Sequence, residues 1–303
     1  MKGQCIEQDI LRIKELLSDV LGTEEYAAIE RLGGLTNHTY KVELADKKLY
    51  VVRLPGEGTE KLINRRDEKI STQLACDLDI DAQMLYFGEN GEKVTQYIPG
   101  AQTMCIAAFQ DHSNLKKAAG IFRKLHSCSQ DTHVPFEVFE IAAGYEAIIQ
   151  NNHVDLFEDY SAIKAQIMRI KAHVDRSSAP RVPCHNDPLC ENWVLDADGR
   201  MYLIDWEYAG MNDGMWDLAD LSIEANFSAI QDEALLMYYL ERKPESDELI
   251  RFHANKLYLD YLWSLWGKAR VPFDGQPMED YALERYVRLK ENLRVFFNNF
   301  SIN

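Results

Sequence analysis

Three observations predict an α+β fold in two parts. Short β-rich segments crowd the first hundred residues of this 303-residue chain, longer stretches with helical spacing fill the remainder, and the two kinds do not alternate as βαβ units would. The composition changes near Pro99-Gly100. A smaller part over residues 1–100 and a larger, mainly helical part over residues 101–303 follow, and the length is enough to bury a sizeable core.

In chain order, apolar residues at helical spacing predict a leading helix over Ile6 to Leu21. Tyr26 to Leu32, Thr39 to Leu44 and Leu49 to Leu54 predict strands, the last two joined by a turn at Ala45-Asp46-Lys47-Lys48. A helix is expected over Ile63 to Asp77, then a strand pair, Ala82 to Gly88 and Lys93 to Ile98, around Glu89-Asn90-Gly91-Glu92. Beyond Gly100 the expected helices are Ala101 to Cys128, Phe136 to Gln150, Phe157 to Val174, Ser228 to Glu241, Asp247 to Lys268 and Met278 to Asn299. No internal repeat, low-complexity tract or Pro-rich linker interrupts them.

With 46% hydrophobic and 27% charged residues, the composition is that of a soluble globular protein, and no long uncharged apolar run suits a bilayer. The formal net charge of −16 disfavours nucleic acid and anionic lipid, both of which need a basic face. The amino terminus has no secretory pattern, and the six cysteines are scattered without paired metal spacing, so a reducing, cytoplasmic setting is expected. No classical P-loop and no dinucleotide-binding glycine fingerprint is present. Oligomeric state has no signature in the sequence.

The segment Cys184-His185-Asn186-Asp187-Pro188-Leu189-Cys190-Glu191-Asn192-Trp193-Val194 places an aspartate and, five positions on, an asparagine directly before an apolar strand. A second strand, Met201 to Ile204, ends at Asp205, and the turn Asp196-Ala197-Asp198-Gly199 between them brings Asn192 and Asp205 to one end of a hairpin. Phosphoryl transfer needs a positioned hydroxyl and cations on the phosphate oxygens more than covalent help. Asp187 suits the hydroxyl; Asn192 and Asp205 offer the oxygen ligands magnesium prefers. His185 is expected to brace the loop.

His185-x-Asp187-x-x-x-x-Asn192, followed by Ile204-Asp205-Trp206-Glu207-Tyr208, resembles the protein-kinase-like fold in its choline/ethanolamine kinase and aminoglycoside phosphotransferase branch. The resemblance implies a two-lobe fold, with a small nucleotide-binding lobe over residues 1–100 and a catalytic and substrate-binding lobe over 101–303, and it implies ATP and Mg2+ as cofactors. Thr36 and Asn37, in the loop Leu32 to Val42, would then cover the phosphates, although the protein-kinase Gly-x-Gly pattern is missing. Arg53 stands where protein kinases place a phosphate-binding lysine, and Glu68 is its expected ion-pair partner. The same resemblance puts the adenine beside Gln96-Tyr97-Ile98.

A quaternary ammonium has no N–H to donate and is recognised by aromatic faces and diffuse negative charge. Trp206, Tyr208 and Trp216 cluster just after the loop, Trp263 and Trp266 share a helix face, and Asp187 and Glu224 carry negative charge. By position Tyr208, Glu224, Trp263 and Trp266 are similar to the residues that line the choline pocket of choline kinases, and the segment Asp205 to Asp220 is similar to small bacterial choline kinases. Trp216 is assigned to the core, and Asp217 and Asp220 to ordering the loop. ATP-dependent phosphorylation of choline to phosphocholine is the expected reaction. Ethanolamine or thiamine kinase, or an inactive kinase fold that only binds, are the alternatives.

Overall fold

The structure, a computed structural model, describes residues 2–33, 37–56, 63–177 and 179–302, with the side chains of residues 2–6 and 177 left aside. The chain runs through α1 (Lys2–Leu21), β1 (Tyr26–Gly33), β2 (Asn37–Leu44), β3 (Leu49–Pro55), α2 (Arg65–Asp77), β4 (Met84–Phe87), β5 (Lys93–Gln96) and β6 (Gln102–Thr103). After a 3-10 segment at Ile106–Gln110 come α3 (His112–His126), α4 (Val138–Asn151), α5 (Tyr160–Val174), β7 (Arg181–Cys184), β8 (Trp193–Leu195), β9 (Met201–Leu203) and β10 (Gly210–Asp213). Four helices complete it: α6 (Met215–Glu224), α7 (Ala229–Leu240), α8 (Ser246–Asp274) and α9 (Gln276–Asn299).

One compact unit comprises Met1–Met104 with Glu191–Ala209, and the other Cys105–Cys190 with Gly210–Asn303. The first therefore takes in the hairpin of β8 and β9, which lies beyond residue 100 in the chain. Main-chain pairing is the cause: β6 runs antiparallel to β8, and the Met104 amide donates to the Trp193 carbonyl at 2.8 Å.

In the first unit five strands form an antiparallel sheet in the order β1-β2-β3-β5-β4. Every second residue of the later part of β2 faces inward, so Tyr40, Val42 and Leu44 meet Val52, Leu54 and Val94 and are covered by Ile13 and Leu17 of α1. That apolar layer leaves the opposite side of β3 to Arg53. Asn64 caps α2 by accepting from the Arg66 and Asp67 amides, which sets Glu68 in the first turn. In the β8–β9 hairpin the Asp196 carboxylate accepts from the Asp198 and Arg200 amides, the side-chain turn expected there.

The second unit is helical apart from the antiparallel pair β7 and β10. α8 is its axis, packed against α4, α5, α6 and α9, and almost every residue from Ala254 to Ala269 is buried. Such a helix is buried all round, and its polar residues Asp260 and Lys268 pair with Arg288 and Glu279 instead of marking a solvent-facing stripe.

The expected single helix over Ala101 to Cys128 is corrected to β6, the 3-10 segment and α3. Asp111 decides the break, because its side chain accepts from the Ser113 amide and starts a new helix there. Among the described residues no helix is long and apolar enough to cross a membrane.

Candidate active site

Five charged residues of the first unit converge on one point. Arg53 Nη1 lies 2.5 Å from Glu68 Oε1, 3.2 Å from Glu207 Oε1 and 3.6 Å from Asp205 Oδ1. Arg65 Nη1 donates to both Glu68 Oε2 and Glu207 Oε1 at 2.7 Å, and Asn37 Nδ2 donates to Glu207 Oε1 at 2.5 Å. Arg53 Nη2 donates to the Gly91 carbonyl at 2.9 Å. Gly91 has φ +97, and a Cβ there would lie 2.5 Å from Arg65 Nε, so only glycine closes the β4–β5 turn against the two arginines.

Burial opposes the Arg53 charge, but Glu68 beside it, then Asp205 and Glu207, hold its pKa above the usual value. Burial likewise works against ionised Glu68, and Arg53, with Lys93, outweighs it and keeps the carboxyl below the ordinary range. Glu207 goes the other way: burial first and the charge of Asp205 next raise its pKa.

The hairpin brings Asn192 and Asp205 side by side, the Ile204 amide donating to the Asn192 carbonyl at 2.9 Å. Asp205 is left-handed, φ +69, a conformation that aspartate tolerates, just beyond the end of β9. Its Oδ1 is buried and accepts no hydrogen bond. Carboxylate oxygens of Glu68, Asp205 and Glu207 lie within 4.8 Å of one another. A hard divalent cation fits this donor set, and Asp205 is the member least committed to arginine.

In the second unit the loop after β7 is pinned from α6. Asp217, wholly buried, accepts from the His185 and Asn186 amides at 2.8 Å each, and His126 Nε2 lies 3.0 Å from its Oδ2. Trp216 Nε1 donates to the Asn186 carbonyl at 3.0 Å, and Asn186 is itself left-handed, φ +66. The next residue, Asp187, is half-buried, and its amide donates to His185 Nδ1 at 3.3 Å. His126, Cys184 and Asp217 also converge closely enough to ligate an ion. Burial and the Asp217 charge hold the Cys184 thiol protonated, so this group is a brace.

α8 and α9 of the same unit contribute an aromatic wall. The Trp263 and Trp266 rings meet edge to face at 6.2 Å, and Trp266 meets Tyr281 at 5.6 Å. Tyr281 lies within the field of Arg285, Glu224, Asp187 and Asp220, so the wall and the carboxylates share one neighbourhood. Arg285 Nη1 is 2.5 Å from Glu224 Oε1 and 3.7 Å from Asp260 Oδ1.

The sequence profile described as choline/ethanolamine kinase matches residues 29–265. The chain belongs to the choline/ethanolamine kinase family. It is 34% identical to the solved choline kinase LicA of Streptococcus pneumoniae, over 93% of this chain and 98% of that one, with a TM-score of 0.80. A choline/ethanolamine kinase family protein from Mesorhizobium loti gives 32% identity over 93% and 94%, with a TM-score of 0.82. Ethanolamine kinase 2 of Mus musculus is 26% identical over 77% of this chain and 67% of its own. The fold is thus the expected protein-kinase-like α+β one, and the protein is a kinase of this family.

Within this kinase the structure joins Arg53 to Glu68 and sets Asn37 against Glu207, where its side chain is fully engaged. Thr36 lies outside the described residues. The Gln96 and Tyr97 amides donate to the Gln83 and Leu49 carbonyls, and Ile98 is buried behind them. Trp206 is not a cage residue: it is buried in the first unit and donates to the Leu203 carbonyl. Tyr208 is half-buried in the same unit. Glu224 is paired with Arg285. Trp216 is core, as expected, and Asp217 orders the loop, whereas the Asp220 side chain finds no hydrogen-bond partner among the described residues. Arg65, Glu207, Tyr281 and Arg285 were missed by sequence reasoning. Glu207 alone had a signal, its place two residues after Asp205.

Proposed function

We propose that this kinase transfers the terminal phosphoryl group of ATP to choline, forming phosphocholine, in a magnesium-dependent reaction. The observation that carries this reading is the wall of Trp263, Trp266 and Tyr281 beside the carboxylates Asp187 and Glu224, the surroundings a quaternary ammonium requires. The LicA chain that resembles it is a choline kinase, and LicA has been solved with AMP bound.

Asp187 orients the substrate hydroxyl by accepting its hydrogen bond, and Asp217, through the two amides it holds, fixes where Asp187 stands. Arg53, held by Glu68, binds phosphate oxygens; Arg65 keeps Glu207 turned toward the same point. Asn37 contributes to that cradle by binding Glu207. The adenine edge falls to the main chain of Gln96 to Ile98, where Gln96 and Tyr97 amides are already used and Ile98 is left to donate. Asn192 and Asp205 would hold Mg2+, with Glu207 close by. When bound, the ion neutralises charge on the phosphate oxygens.

Ethanolamine is the second reading, favoured by the likeness to an ethanolamine kinase and by carboxylates able to accept from a primary ammonium. Trp263→Ala and Trp266→Ala separate the two. Loss of choline turnover with ethanolamine turnover kept supports the aromatic pocket as a choline site; equal loss of both contradicts it.

A further inference from the structure

Asp220 is fully buried, and among the described residues neither of its carboxylate oxygens has a hydrogen-bond partner. It shares a face of α6 with Glu224, one turn on. The groups that face it are Glu224 and Asp217 from its own helix, Asp187 from the loop after β7, and Arg285 from α9. Arg285 answers the Asp220 charge only in part, since its Nη1 is 2.5 Å from Glu224 Oε1 and it also faces Asp260, which Arg288 holds at 2.6 Å. Among the described residues Glu224 therefore has a cation in contact, whereas Asp220 has only the field of Arg285, which is engaged elsewhere.

A buried carboxylate that no protein donor meets is disfavoured as a resting anion. Burial, and then the neighbouring charges of Glu224 and Asp187, accordingly push the Asp220 pKa well above the ordinary carboxylate value and favour its protonated form. A cation against the wall of Trp263, Trp266 and Tyr281 changes that balance, because it adds the positive charge the group lacks.

We propose that Asp220 is the counter-charge by which the pocket prefers a cationic alcohol to an uncharged one of the same shape, acting through space from behind the pocket wall. This rests on choline as the substrate, proposed above. When the cation binds, the Asp220 carboxyl O–H bond breaks, the electron pair stays on the carboxylate and the proton passes to the solvent buffer. Asp220 is a positioning residue: it touches neither substrate nor the transferred group.

The test compares choline with 3,3-dimethylbutan-1-ol, its uncharged carbon isostere, in the full-length wild type and in Asp220→Asn, which keeps the shape and removes no hydrogen bond. The wild type should prefer choline, and the variant should lose that preference at least about tenfold through the choline KM, while kcat/KM for the isostere stays close to wild type. A merely structural role would lower both substrates together. Should the variant fail to fold, titration calorimetry on the wild type in two buffers of different protonation enthalpy decides. Choline binding should release a proton and isostere binding none. An unchanged preference, or no proton release with choline, overturns the assignment of Asp220 alone. A wild type that does not turn over choline overturns the choline reading and this proposal with it.

Discussion

Asp217 holds the amide of His185 at 2.8 Å and does the same for Asn186, so one buried carboxylate on α6 sets the main chain that carries Asp187. Shape at the reacting centre therefore depends on a residue 30 positions away from Asp187 in the sequence.

Asp217→Asn leaves an amide nitrogen facing one of those N–H groups. Because a small displacement of the hydroxyl-orienting group is costly, kcat should fall about a hundredfold. The KM for ATP should stay near the wild-type value. Steady-state kinetics against both substrates checks this, and a variant with unchanged kcat would remove Asp217 from the account.

Asp187→Asn replaces the anionic acceptor of the hydroxyl hydrogen with a neutral amide that cannot take the proton, while leaving the loop backbone in place. Turnover should drop about 10²- to 10⁴-fold, the range for a lost proton acceptor, with nucleotide binding measured by calorimetry largely kept.

Glu68→Gln breaks the buried contact with Arg53, whose Nη1 lies 2.5 Å from Glu68 Oε1. Removing one partner of a buried pair costs about 3 kcal/mol or more, here lessened by the Glu207 and Asp205 charges that remain on Arg53. Denaturant unfolding should show that loss, and the KM for ATP should rise.

Asp81 gives a pH signature. It is buried, and burial raises its pKa from 3.8 to about 6, with Asp205 adding to the effect and Lys93 opposing it. A folded-state pKa above the unfolded one means the folded protein holds the proton more tightly between these values, so stability falls as pH rises from about 4 to 6. Asp81→Asn should flatten that stretch of the stability profile and leave the variant the more stable of the two at pH 7, by up to about 3 kcal/mol. Melting temperatures measured across pH check it; parallel profiles for the two proteins would exclude the effect.

Local spacing made the phosphoryl-transfer hairpin legible. Asn192, the turn at Asp196 to Gly199 and Asp205 lie within one short stretch, and the resemblance to protein kinases singled out Arg53. The roles of Arg65 and Glu207 were not legible, because the contact between them joins positions 142 residues apart. α6 was missed for a different reason. Met215 to Ile223 are all buried, so Asp217 and Asp220 face other protein groups and the helix has no solvent-facing polar side to mark it. The break inside Ala101 to Cys128 was signalled by Asp111 as a cap, but β6 before it exists only because β8 comes back to pair with it. The pairing of Glu224 with Arg285 likewise depends on α6 and α9 meeting, which no local pattern announces.

The most direct test of the account is a competition assay: purified protein with ATP, Mg2+ and equimolar choline and ethanolamine, the products resolved by phosphorus NMR. Phosphocholine should form with at least about tenfold preference, the discrimination a desolvated aromatic and acidic pocket can supply. Phosphoethanolamine as the main product, or ATP consumption that neither alcohol stimulates, would contradict it.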